Sequence, residues 1–108
     1  MTAAAFRRIA LSMPQSSESS HMHHPDFRVG GKIFATLGYP DKDHGMVVLP
    51  PKEQARLVQF NGAAFFPAKG AWGKRGSTCV RLDAVSSTML RSAMKIAWRE
   101  RAPKSSAT

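Results

Sequence analysis

Between Lys69 and Ser77 the chain runs Lys-Gly-Ala-Trp-Gly-Lys-Arg-Gly-Ser, its densest concentration of anion-binding chemistry. Glycines leave backbone N–H groups approachable, Lys69, Lys74 and Arg75 supply charge, and the indole of Trp72 offers a face on which a base can stack. The spacing Gly-x-x-x-x-Gly-Lys-Ser/Thr of a nucleotide-binding phosphate loop is absent. A competing reading makes the stretch a flexible hairpin tip with Trp72 packed into the core. Arg91, Lys95 and Arg99 follow i, i+4, i+8. On a helix such positions drift by only ~40° per step and form one stripe, a rail for backbone phosphates. The alternative is an ordinary solvated helix face whose arginine stems cover apolar neighbours. Arg28 and Lys32 flank a Gly30-Gly31 pair and would continue a basic surface onto a hairpin, although solvated strand-end charges explain them equally well.

Other chemistries are poorly supplied. His21 and His23 would point the same way on a strand, but a zinc site needs further ligands, and only His24, Asp26, the distant His44 and Cys79 remain, with no paired-cysteine spacing. We therefore expect neither metal nor cofactor. Cys79 lies mid-strand, where a buried structural thiol is the default. No Gly-x-Ser-x-Gly elbow occurs, and Asp41 and Asp43 sit in a loop as turn formers. An enzyme is not expected.

The chain that must position these groups has 108 residues, 43% of them hydrophobic, which suits one domain, here residues 1–104 with a frayed tail over 105–108. A single cysteine excludes an internal disulfide framework and fits a reducing cytoplasm. No apolar run approaches the ~18 residues of a membrane span. Sixteen Lys and Arg face seven Asp and Glu, a formal charge of +9, and the surplus is uneven. From Lys69 onward nine basic residues, Arg81, Arg101 and Lys104 among them, meet only Asp83 and Glu100, a net of +7. Such asymmetry favours a polyanion: nucleic acid, anionic lipid or an acidic protein. Arg7 and Arg8 ahead of any acid faintly suggest a transit peptide. Phe6, Ile9, Ala10 and Met13, however, make an amphipathic first helix the better reading.

That helix covers about Ala3 to Leu11, and Pro14 with the polar run Gln15 to Ser20 ends it. Asp26–Val29 and Lys32–Leu37, separated by Gly30-Gly31, predict a tight hairpin, because a two-residue primed turn needs positive φ at both positions. A loop over Gly38 to Gly45 leads to a strand Met46–Leu49. Pro50-Pro51 then opens a helix Lys52–Phe60 with Ala55, Val58 and Leu57 or Phe60 facing inward, stopped at Asn61-Gly62. After an extended Phe65-Phe66-Pro67 and the glycine-rich stretch, Thr78–Leu82 is a strand with Cys79 and Arg81 on the face opposite Thr78, Val80 and Leu82. Ser86, Ser87 and Thr88 offer N-caps to a last helix ending near Arg101, its buried stripe Leu90, Ala93, Met94, Ala97 and Trp98. The order α-β-β-β-α-β(β)-α predicts an α+β two-layer sandwich, an antiparallel sheet with helices on one face.

With these elements placed, His24 to Gly45 (HPDFRVGGKIFATLGYPDKDHG) followed by MVVLPPKEQARLV resembles the MmcQ/YjbR family of small bacterial proteins. Gly70-Ala71-Trp72-Gly73, Thr78 to Leu82, Ala97-Trp98 and Ala102-Pro103-Lys104 fit it too. The resemblance spans about Phe6 to Lys104, and its most specific piece is Phe27-Arg28-Val29 with Lys32-x-Phe34-Ala35. It implies a frataxin-like (CyaY-like) fold and a DNA-binding role through a double wing of loops and strands, for which 69–77 is the first candidate. Frataxin-type iron handling is not implied, since no acidic ridge is present. The expectation is a monomeric, cytoplasmic, non-enzymatic nucleic-acid-binding module, DNA first. Loop 69–77 and the C-terminal helix would form one shared basic face touching phosphates, with Arg28 and Lys32 beside it. The rival is a protein- or small-ligand-binding domain holding its partner on the sheet or in a groove under Trp72.

Overall fold

The computed structural model describes residues 1–104; the expectation of a frayed tail over 105–108 lies outside the described residues. The chain forms α1 (Ala3–Leu11), β1 (Ser17–His21), β2 (His24–Val29), β3 (Lys32–Leu37), β4 (His44–Val48), α2 (Pro51–Phe60), β5 (Phe65–Pro67), α3 (Gly70–Lys74), β6 (Ser77–Arg81) and α4 (Ser87–Arg101). The six strands make one sheet in the order β1-β2-β3-β4-β6-β5, antiparallel at every pairing. The architecture is thus α+β in the expected order, with β1 and α3 added.

Gly30 and Gly31 turn β2 into β3 with φ of 59° and 79°, the hairpin read from the sequence. Met22 and His23 make the same kind of turn between β1 and β2 at φ of 48° and 68°, without glycine. Register then sorts the side chains. Phe27, Ala35, Val47 and Thr78 oppose one another across four strands on one face, while Asp26, Thr36, Met46 and Cys79 form the matching row on the other. A bulge keeps that alternation intact: Phe27 faces Ala35 and Arg28 faces Ile33, so Phe34 is the extra residue and joins the core.

The Phe27 face carries the core. Phe6, Ile9, Ala10 and Met13 from α1 and Leu90, Ala93, Met94, Ala97 and Trp98 from α4 are buried there with Val29, Val47, Phe65 and Val80. Trp98 Nε1 donates to the carbonyl of Pro14 at 2.8 Å, tying α4 to the segment that follows α1. α4 begins as expected at a Ser86 cap whose hydroxyl accepts from the Met89 N–H at 3.1 Å. Ser86→Ala should cost about 1 kcal/mol, read as a lower chemical-denaturation midpoint at unchanged slope.

Two expectations need correction. In α2 the buried residues are Gln54 and Leu57, with Val58 half-buried; Ala55 is exposed and Phe60 is 75% exposed. The polar Gln54 turns inward because it has acceptors there. Its Nε2 donates to the carbonyls of Gly73 at 2.9 Å and Ser77 at 3.1 Å. Second, 69–77 is not a loop. Gly70–Lys74 is the short helix α3, held against α2 by Gln54 and against the chain behind it by Gly73, where a Cβ would fall 1.8 Å from the Ala68 carbonyl oxygen.

Candidate ligand groove

The sheet face opposite α1 and α4 bears no long helix, and its side chains alternate with the core positions. Ile33 of β3, Met46 and Val48 of β4 and Ser77 of β6 floor an open groove of about 910 Å³, with Thr36 between them and Ala68 at one side. Ile33, Met46 and Val48 are half-buried, a partly wet apolar surface. The groove occurs because each strand alternates and only one of its two faces is roofed by helices.

Its rim is aromatic and cationic. α3 places Trp72 and Arg75 along one side, and Trp72 is 68% exposed. This corrects the reading of Trp72 as a core residue. Tyr39, His21, His24 and Met22 line the opposite end, at the β1–β2 turn, where Met22 is 84% exposed. Lys32 and Arg101 close the end near Gly30-Gly31. Arg101 reaches it because the chain leaving α4 crosses the hairpin: a Cβ on Gly30 would lie 2.7 Å from Pro103 Cγ. The Nε of Arg101 is buried and donates to no acceptor among the described residues.

Not every cation there is available. Arg28 lines the groove, yet its Nε and Nη2 donate to Asp26 Oδ1 and Oδ2 at 2.8 and 3.1 Å. His21 Nδ1 lies 2.7 Å from the same carboxylate, whose side chain is fully buried. The Arg28 hydrogen bonds, helped by His21 and opposed by burial, hold Asp26 below the usual carboxylate range. Arg81 is likewise engaged, stacked 4.3 Å from the Phe66 ring centroid and donating to the carbonyls of Gly62 and Ala63.

Of the residues expected to bind nucleic acid, the groove gathers Trp72, Arg75, Arg28 and Lys32, while His21, His24 and Arg101, named in the sequence for other reasons, line it too. Lys69 and Lys74 are exposed at the two ends of α3 without lining it. Arg91, Lys95 and Arg99 are exposed on α4, which packs on the other face of the sheet. The single basic face expected to join 69–77 to the C-terminal helix is therefore replaced by two separate groups. The alternation puts core residues between α4 and the sheet, so the stripe on its solvent side cannot reach the groove.

Burial pushes the Cys79 thiol up to about 11, which leaves it protonated and unsuited to nucleophilic attack at neutral pH. Among the described residues no three His, Cys, Asp or Glu side chains gather as a metal site.

Fold and groove together define a small α+β protein with one sheet face left open as a groove. The sequence model of the YjbR family matches residues 11–100, and the chain belongs to the YjbR family. Its fold is similar to that in the crystal structure of Deinococcus radiodurans protein DR2400, described by the family-model domain DUF419. The TM-score is 0.74 at 18% identity, over 90% of this chain and 75% of that one. No curated protein matches the chain. No helix among the described residues is long and apolar enough to cross a membrane.

Proposed function

We propose that this protein is a non-enzymatic nucleic-acid-binding module, for DNA in the first place, that acts in the cytoplasm and takes its ligand in the groove. One observation carries the reading: an apolar floor is bordered by an exposed indole and by Lys32, Arg75 and Arg101, cations with no carboxylate partner among the described residues. Bases can lie against the floor while the rim meets phosphates. The formal charge of +9 supplies attraction at a distance, and the rim supplies the contacts. Fluorescence-anisotropy titration of a labelled oligonucleotide across salt concentrations tests it. Affinity should fall as salt rises, and Arg75→Glu should weaken binding and flatten the slope. Absence of binding at low salt overturns the proposal.

The groove volume, about 910 Å³, also favours a second reading as a small-ligand site, since drug-sized molecules occupy ~300–1,000 Å³. In that case a metabolite with an anionic group would raise the melting temperature, and oligonucleotide competitors would leave the effect intact.

A further inference from the structure

Resting on the nucleic-acid reading, we infer that the groove selects a single strand over a duplex, with bases down against the floor and Trp72, and one phosphate at Arg101. A duplex meets a protein surface chiefly with phosphates and narrow groove edges, its base faces being stacked inside. Laid on Ile33, Met46 and Val48, those phosphates would lose water without gaining donors. Unpaired bases fit the same surface because every base has an apolar π-face, and Trp72 is exposed on the rim to stack on one.

Charge points the same way. Arg28 is bound to Asp26, so the groove offers Lys32, Arg75 and Arg101, a sparse set for a duplex footprint. The α4 stripe Arg91-Lys95-Arg99 is on the other layer and cannot add to it. Arg101 is the anchor: its side chain lines the groove and has no carboxylate partner among the described residues, which leaves its guanidinium for a phosphate. From β1 to β6 the face crosses four inter-strand spacings, about 19 Å, enough for a short run of nucleotides.

The test compares a labelled oligothymidine of about 12 nucleotides with a duplex of equal length, from about 50 to 200 mM salt. The expected result is tighter binding of the single strand, with a log–log salt slope of about −2 for three phosphate contacts. Binding should quench Trp72 fluorescence. Trp72→Ala should weaken single-strand binding roughly tenfold while Trp72→Phe retains most of it. Arg101→Gln should reduce the slope by about 0.7. Equal or tighter duplex binding that ignores Trp72→Ala but is lost on reversing Arg91, Lys95 and Arg99 overturns this inference while leaving nucleic-acid binding itself standing. Failure to bind either oligonucleotide overturns both.

Discussion

Gly76→Ala is expected to destabilise the protein by about 4 kcal/mol or more, a fall in melting temperature of roughly 15 °C or greater. Gly76 has φ of +114°, and a Cβ there would sit 1.7 Å from the carbonyl oxygen of Leu49. Neither neighbour can step aside. The Leu49 N–H donates to the Gly76 carbonyl at 2.9 Å, and Thr78 Oγ1 donates to the same oxygen at 2.8 Å. Moving the backbone would break both bonds and the start of β6, on which α3 and Gln54 depend. Gly31→Ala is the internal comparison: its φ of +79° is also unfavourable for alanine, but no atom lies within 4 Å of the added methyl. That variant should lose only about 1–2 kcal/mol. Equal losses in calorimetry would show that the close approach to Leu49 is not what makes position 76 critical.

The second large effect concerns the carboxylate under the groove. Asp26→Asn should cost about 2 kcal/mol at neutral pH, because it weakens charge-assisted hydrogen bonds from Arg28 and His21. The sign of the pH dependence follows from the lowered titration of Asp26 in the fold. A carboxylate held below its ordinary value stabilises the native state fully above the unfolded pKa of about 3.9. That contribution disappears as pH falls through the folded value. Urea unfolding at pH 7 should therefore separate the two proteins clearly, and the gap should close progressively below about pH 4. A gap that is constant across this range would show that the substitution acts through packing and not through charge.

What the sequence revealed is what repeats along it. The stripes of α1 and α4 follow helical spacing and bury as read, the Gly30-Gly31 hairpin forms, and alternation in β6 places Thr78 and Val80 opposite Cys79. β1 escaped because Ser17 to His21 has no apolar alternation; it is held by pairing along β2 and by Glu18 bonding Arg7 of α1 at 2.9 Å. α3 escaped because two of its five residues are glycine. Its helix depends on Gln54, which is nineteen residues away in the chain. Part of the candidate site was visible as chemistry, in Trp72, Arg75, Arg28 and Lys32. A groove under Trp72 was named only as the rival binding place; its floor was not legible, since it comes from strand positions noted only as sheet formers, and Arg101 arrives from the far end of α4. Nor does charge counting distinguish Arg28 and Arg81, which are engaged within the fold, from Arg75, which is not.

Cys79 is 1% exposed and hard to ionise, and it sits in the middle of β6 between β4 and β5. As the only thiol in the chain it is a built-in reporter. A maleimide or disulfide reagent has almost nothing to attack until the sheet parts, so each labelling event counts one opening of that strand. The labelling rate measured against the rate for the unfolded chain converts directly into the free energy of that opening. Followed with and without an oligonucleotide, it would give the ligand's contribution to stability with no added probe.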